Sequence, residues 1–198
     1  MSDTFKTIRT STEGIYKEKG SKFLSFAIPV RHTDEIKEIL KEYKKRFFDA
    51  RHVCYAYMLG HERKEFRAND DGEPSGTAGK PILGQINSNE LTDILVIVVR
   101  YFGGVLLGTG GLVVAYKEAT EDDLNHAEII EKTVNEQLKI NFDYILLNDV
   151  MRIIKETNPD IISQTFDNQC AMQLSIRKQE APLLISRLNK IIGLVINQ

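Results

Sequence analysis

The sequence is poor in cysteine, in long apolar runs and in net positive charge. Its 198 residues include two cysteines, Cys54 and Cys170, which lie far apart and form neither a CxxC pair nor a metal-ligand spacing. The polar N-terminus does not read as a secretory leader, so both are expected to be reduced thiols. No apolar run approaches the ~20 residues of a membrane-spanning helix. These absences predict a soluble protein of the cytoplasm.

The formal net charge of −2 is close to neutral. This balance argues against a protein coated with positive charge for nucleic acid, although it leaves room for a local basic patch. The length suits one large domain or two small ones, each able to bury a core.

The most informative stretch runs from Arg100 to Gly111 and contains two glycine pairs. It follows a β-branched run, residues 93–99, which predicts a fully buried strand. After it, residues 112–119 have helical spacing. The chain is therefore expected to pass from a core strand through glycine turns into a helix that ends near His126.

The glycines of this stretch allow two interpretations. They are Gly103, Gly104, Gly108, Gly110 and Gly111. Glycine tolerates positive φ and close backbone approach, and a glycine-led helix start exposes N–H groups that suit an anion. Glycines also let a helix pack tightly against a sheet, so both interpretations stay open.

A second stretch, from Asn69 to Pro81, carries three acids, Asp70, Asp71 and Glu73, ahead of a glycine-rich loop. A P-loop needs glycine at position 74 and Ser or Thr at position 81, and this chain has proline at both. It also lacks the alternating acids and distal glutamate of an EF-hand. A helix is expected from its last proline to about Asn87.

The N-terminal part of the chain predicts strands on both sides of a helix. Residues 5–30 indicate strands with a turn at Gly20, and Thr33 is expected to cap a helix. An apolar stripe follows at helical spacing: Ile36, Ile39, Leu40, Tyr43 and Phe47. The lysines off this stripe are interpreted as a solvated face, and alternatively as a surface that contacts phosphates.

Residues 51–59 predict another strand, followed by a short one around Phe66. Alternation puts His52 and Cys54 on the same face, which raises a Cys–His nucleophile as one interpretation. Strand geometry holds the two side chains apart, however, and the neighbours of Cys54 are apolar. A buried, inert cysteine is favoured, and no catalytic residue is assigned.

The last third of the chain predicts the order βαββαβ, the ferredoxin-like pattern. The expected elements are strand 137–144, helix 147–157, strands 160–166 and 170–177, helix 181–192 and strand 194–197. The chain should therefore be α+β and should divide near residues 133–136, giving domains 1–133 and 134–198.

Two motifs resemble the hallmarks of a bacterial family. Residues 70–81 (DDGEPSGTAGKP) and 98–112 (VVRYFGGVLLGTGGL) look like the paired motifs of the YigZ family, which shares its N-terminal domain with the eukaryotic translation regulator IMPACT. The resemblance covers essentially the whole chain. It implies an N-terminal domain similar to the fifth protein of the small ribosomal subunit and to domain four of elongation factor G. It also implies a C-terminal domain similar to domain five of that factor.

By analogy with that fold, the first functional hypothesis is a non-enzymatic protein that binds RNA or the ribosome and is linked to the regulation of translation. Lys80 and Arg100 would meet phosphates beside the glycines, and Tyr101 or one of the strand tyrosines would be available to stack on a base. A protein partner in translation control is a further expectation, and no cofactor is predicted. The alternative is an enzyme or binder for a small phosphorylated ligand, with the three loop acids holding Mg²⁺.

Arg100 emerges from a buried strand, so its charge needs a partner. We expect it to pair with a carboxylate or a backbone carbonyl of residues 70–80. This pairing would bring the two glycine stretches together.

Overall fold

The computed structural model describes residues 3–197, which form two units, each with its own apolar core. The N-terminal unit comprises residues 5–132. The C-terminal unit comprises residues 133–197 together with residues 3 and 4. Both combine helices with antiparallel sheet, so the chain is α+β. None of the helices between residues 3 and 197 is long and apolar enough to cross a membrane.

The N-terminal unit is built around a five-stranded antiparallel sheet. The elements in chain order are β1 (Thr4–Ile8), β2 (Thr12–Glu18), β3 (Ser21–Pro29), α1 (Thr33–Arg46), β4 (His52–Leu59), β5 (Glu65–Asn69), α2 (Gly79–Ser88), β6 (Ile94–Tyr101), α3 (Gly108–His126) and β7 (Ile129–Thr133). The sheet order is β2-β3-β6-β4-β5, while β1 and β7 form a separate pair. The strand predicted from residues 93–99 is therefore the central one.

Alternation along β6 divides this unit into two cores. The even-numbered residues of 94–98 pack with α2 and α3, and the odd-numbered residues of 95–99 pack with α1. All six are fully buried, which confirms the predicted core strand. The apolar stripe predicted on α1 also packs against this second face, so the helix is held by its amphipathic pattern.

The helix α3 begins at Gly108 rather than Leu112, four residues earlier than predicted. Gly104 and Gly108 have φ of +86° and +70°, a region that glycine enters at little cost. Gly103 serves a different need, because a Cβ there would lie 1.9 Å from the carbonyl carbon of Gly20. Turn geometry and close packing thus account for three glycines of the central stretch.

The C-terminal unit has the predicted element order. Its elements are β8 (Asn135–Asp143), a 3-10 turn (Tyr144–Leu146), α4 (Leu147–Thr157), β9 (Asp160–Thr165), β10 (Gln169–Arg177), α5 (Ala181–Leu188) and β11 (Val195–Asn197). The sheet order is β11-β8-β10-β9, with every pairing antiparallel. The helix α4 has the predicted limits and ends at Asn158, which takes the left-handed conformation.

Two further elements differ from the sequence prediction. The strand β7 was not predicted, because its five residues carry a short pattern that only pairing with β1 stabilises. The helix α5 ends at Leu188 rather than Ile192, and the chain then turns through Gly193, whose φ is +94°, into β11.

Asp3 ties the start of the chain to the C-terminal unit, whereas the predicted limits assign it to the N-terminal domain. The carboxylate of Asp3 accepts hydrogen bonds from Nε of Arg177 at 2.7 Å and from its NH2 at 2.9 Å. The backbone carbonyl of Asp3 also accepts from the N–H of Val134. Contacts this distant in sequence leave no local pattern from which they could be predicted.

We expect Gly103→Ala to lower the free energy of unfolding by about 1–3 kcal/mol, because the added Cβ would overlap the backbone of Gly20. Gly110→Ala is the matched control, since a Cβ there meets nothing within 4 Å. It should be neutral or stabilising by up to about 1 kcal/mol. Urea unfolding of both variants measures the difference, and equal losses would contradict the assigned close approach.

Asp123 is a buried acid on the face of α3 that covers β2 and β3. The hydroxyl of Ser25 donates to Asp123 Oδ2 at 2.7 Å. Burial raises the pKa of Asp123 to about 6 from 3.8, and the Ser25 hydrogen bond offsets only part of this effect. Above the folded-state pKa, the native protein therefore buries a charge that the unfolded chain exposes to water.

We expect Asp123→Asn to raise the free energy of unfolding near pH 7.5, by at most about 3 kcal/mol. The advantage should shrink as the pH falls through about 6 toward about 4, because the wild-type carboxyl is then protonated in the folded state and the charge penalty disappears. Denaturant unfolding of both proteins across this range measures the gap. A gap that does not change with pH would contradict the assignment.

Candidate functional site

A cavity of about 340 Å³ opens in the N-terminal unit where β6 gives way to α3. Three segments line it: the start of β4, the loop after β5, and the β6–α3 connection with the first turns of α3. The lining residues are Arg51, His52, Gly72, Glu73, Pro74, Arg100, Phe102, Leu106, Leu107, Gly108, Thr109 and Leu112. The two glycine-rich stretches of the sequence therefore meet at this cavity.

A buried ion pair joins the two stretches. Arg100 NH1 donates to Glu73 Oε1 at 2.6 Å, and the two residues are only 5% and 8% exposed. The Tyr116 hydroxyl on α3 donates to the same carboxylate oxygen at 2.8 Å. The predicted pairing of Arg100 with an acid of residues 70–80 is confirmed, and Glu73 is that acid.

Arg100 lines the cavity, and one donor of its guanidinium has no partner among the described residues. Its Nε is buried and has no hydrogen-bond partner among residues 3–197. The group also lies 5.5 Å from the ring centre of Phe23 and 5.8 Å from that of Phe102. An unpaired buried donor is costly, so this side chain suits an acceptor brought by a ligand.

The first turn of α3 offers further donors to the same cavity. Gly108 and Thr109 line it, and within the described structure no side chain caps this helix end. The first turn contains no acidic residue either. The orphan N–H groups and the positive end of the helix dipole therefore keep their capacity for an anion.

Asp70 organises the loop between β5 and α2. Its carboxylate accepts hydrogen bonds from the backbone N–H groups of Gly76, Ala78 and Gly79, at 2.8 to 3.1 Å. Burial opposes ionisation of Asp70, but these bonds and the nearby charge of Lys80 outweigh it and lower the pKa of Asp70. Asp70 thus stabilises the conformation of the loop that carries Glu73.

Asp71 has a separate role beside β4. Its Oδ2 accepts from the N–H of Val53 at 2.8 Å, and its Oδ1 pairs with Lys44 Nζ at 2.9 Å. Burial raises the pKa of Asp71, but these partners outweigh it and hold that pKa below its ordinary value. Since the three loop acids have different partners, they do not converge as Mg²⁺ ligands, and no group of three or more His, Cys, Asp or Glu in the described chain is arranged for a metal.

Three of the sequence-predicted site residues line the cavity: Glu73, Arg100 and Gly108. The others do not: Lys80, Tyr101, Gly103, Gly104, Gly110, Gly111, Asp70 and Asp71. Lys80 is exposed on α2. Tyr101 packs on the α1 face of the sheet, and its hydroxyl donates to Asp49 Oδ1 at 3.0 Å. Because Tyr101 follows Arg100 on one strand, the two side chains must point to opposite faces.

His52 and Cys54 behave differently although they share a face of β4. His52 lines the cavity, and its Nδ1 donates to the carbonyl oxygen of Asp71 at 2.8 Å. Cys54 is fully buried, and its thiol donates to the carbonyl oxygen of Asp70 and to the Tyr116 hydroxyl. Burial raises the pKa of the Cys54 thiol well above its usual range, which supports the inert role predicted for it.

The sequence interpretation missed two surface residues of this site. Phe102 is 40% exposed beside Arg100, and the guanidinium of Arg51 lies 5.6 Å from its ring centre. Phe102 stands inside the central motif, while Arg51 stands just before β4. Only the pairing of β4 with β6 brings them together, as His52 lies opposite Arg100 in the sheet.

Comparisons with known proteins place this cavity within a described domain. Residues 19–124 match the model of the Impact N-terminal domain, and this range contains every residue that lines the cavity. The chain is 34% identical over 157 residues to the IMPACT family member YvyE of Bacillus subtilis, covering 79% of this chain and 72% of that protein. It is 33% identical over 153 residues to the IMPACT family member YigZ of Escherichia coli, covering 75% and 74%.

One solved structure resembles the whole chain. It is the crystal structure of a hypothetical protein, with a TM-score of 0.75 and 25% sequence identity. The similarity covers 99% of this chain and 97% of that one.

We expect Arg100→Leu to lower the free energy of unfolding by about 3–5 kcal/mol, because it leaves the buried Glu73 carboxylate without its partner. The double variant Arg100→Leu with Glu73→Leu should lose less than the sum of the single variants. Arg187→Ala in the C-terminal unit removes an exposed ion pair with Glu156 and should cost about 1 kcal/mol or less. Strict additivity at residues 73 and 100 in urea unfolding would contradict the coupling.

Proposed function

The chain belongs to the family defined by the Impact N-terminal domain, and on that premise we propose that its N-terminal unit binds RNA through the cavity between β6 and α3, without catalysis. The binding is linked to the regulation of translation, either on free RNA or on the RNA of a ribosome. The cavity would hold a phosphate of the RNA backbone.

The observation that carries this proposal is the spare donor of Arg100. Arg100, whose Nε has no partner in the described chain, and the uncapped first turn of α3 line the same cavity. Phosphate oxygens accept hydrogen bonds from guanidinium groups and from helix N-termini. The Glu73 carboxylate is already engaged by Arg100 and Tyr116, so it opposes an anion less than a free carboxylate would.

The local charge of the cavity supports contact with a few phosphates rather than with many. Arg51 and Arg100 contribute two positive charges against one negative charge from Glu73, while the whole chain is at −2. A protein that neutralises few phosphates has a shallow dependence on salt, about 0.7 in the logarithmic slope for each phosphate of a single strand. We therefore expect a modest salt slope.

The link to translation rests on the similarity of fold and on the family. In the C-terminal unit, the order βαββαβ and the sheet order β11-β8-β10-β9 support a ferredoxin-like assignment, with the domain boundary at residues 133–134 as the proposal and residues 3 and 4 counted with the C-terminal unit. The sequence resembles elongation factor G in the order of its domains. That factor contacts the ribosome through domains of this kind. This analogy supports an RNA partner and does not assign a particular one.

A small phosphorylated molecule is the second candidate. The volume of about 340 Å³ lies within the range of small-ligand sites, which favours this alternative. The version in which Asp70, Asp71 and Glu73 hold Mg²⁺ has no support in their geometry, because each acid has its own protein partners.

We expect Arg51→Ala to weaken RNA binding and to reduce the logarithmic salt slope by about 1, since Arg51 is an exposed cation at the cavity mouth. Arg67→Ala, an exposed cation on β5 that does not line the cavity, is the matched control and should bind like the wild type. Lys80→Ala measures whether the contact extends to α2, as the sequence hypothesis requires.

Filter binding across a salt series measures these affinities with the full chain. Binding that is independent of salt, or an equal loss for Arg51→Ala and Arg67→Ala, would contradict a phosphate contact at the cavity. Turnover of a phosphorylated metabolite would instead favour the second candidate.

A further inference from the structure

We infer that the cavity accepts one unstacked nucleotide of a single strand, with its phosphate at the first turn of α3 and its base on the Phe102–Arg51 stack. This inference rests on the proposed function and narrows it from RNA in general to single-stranded RNA. Three features carry it: the unpaired donor of Arg100 beside the first turn of α3, an exposed stack, and the size and lining of the cavity.

The first turn of α3 reaches the cavity through Gly108 and Thr109. That turn contains no acidic residue, and its N-cap side chain makes no capping hydrogen bond. Its free N–H groups therefore suit a phosphate that approaches from the cavity.

The spare donor of Arg100 points to the same ligand independently. Arg100 is 5% exposed and lines the cavity, and its Nε has no partner in the described part of the chain. A bare helix start and an unsatisfied guanidinium in one cavity suit a single bound phosphate.

An exposed stack adjoins this phosphate position. The ring of Phe102 is 40% exposed and carries the guanidinium of Arg51 at 5.6 Å, and Arg51 itself is exposed. Nucleic-acid bases stack on aromatic rings and on guanidinium planes, and this stacking contributes about 1–3 kcal/mol per base. A base lying on Arg51 would extend the existing stack by one layer.

The size and lining of the cavity limit the ligand to one nucleotide with an accessible base. A volume of about 340 Å³ suits a small-ligand site, and Pro74, Leu107 and Leu112 give it apolar walls. Paired bases inside a duplex cannot enter such a site, because a duplex presents mainly its phosphates and sugars there. An unpaired nucleotide presents both its phosphate and the face of its base.

The test compares a fluorescein-labelled 12-nucleotide RNA as a single strand and as a duplex by anisotropy at one fixed salt concentration. We expect the single strand to bind at least tenfold more tightly. Phe102→Leu should weaken single-strand binding roughly tenfold and leave duplex binding almost unchanged. Uridine monophosphate should compete at lower concentration than inorganic phosphate.

Thr109→Glu supplies a variant that should fold normally, because an acid suits the first turn of a helix, and it should lower single-strand affinity because its carboxylate repels a phosphate at the cavity. Gly84→Glu is its control, since Gly84 is exposed on α2, away from the cavity, and has open space around it. If both forms of RNA bind equally and Arg51→Ala weakens both, the nucleotide inference fails while the proposed function stands. If neither form binds, both fail.

Discussion

The buried pair between Arg100 and Glu73 is the interaction on which the rest of the N-terminal unit depends. It joins the end of the central strand to the loop after β5, and Tyr116 adds α3 to the same carboxylate. Removing two charges from water is expensive, and a pair of this kind is weak evidence for stability in itself. Apolar residues could fill the same volume at lower cost. The pair also places a guanidinium with one unpaired donor in the lining of the cavity, which an apolar replacement could not do, and this is the feature that the proposed binding role uses.

The glycines of the central stretch divide into two groups by physical cause. Gly103 is required by the backbone of Gly20, and Gly104 and Gly108 are required by positive φ. These three shape the entry into α3. Gly110 meets neither condition, so the fold tolerates it at a cost in helix stability. Tight packing, one of the two interpretations that the sequence left open, therefore applies to Gly103, while anion binding at the start of α3 stays a prediction.

Prediction from the sequence succeeded where local pattern and burial act together. The β-branched run of β6 and the amphipathic stripe of α1 are such cases, and so is the need of a buried Arg100 for a carboxylate. The sequence did not show which of the three acids Arg100 would meet. The conformation of the loop decides this, because the Asp70 carboxylate accepts hydrogen bonds from three backbone N–H groups of the loop. Alternation alone could have excluded Tyr101, its neighbour on the strand. The sequence offers no comparable rule for Arg51 and Phe102, since strand pairing across 51 residues brings them together.

His52 stands on the other side of the Glu73 carboxylate. Its Nδ1 donates to the Asp71 carbonyl, and its Nε2 lies 3.9 Å from Glu73 Oε2. The Oε1 of Glu73 accepts from Arg100 and Tyr116, so both oxygens of this carboxylate face protein groups. The cavity therefore combines an engaged carboxylate with Arg100 and the first turn of α3, and this arrangement is suited to holding an anion.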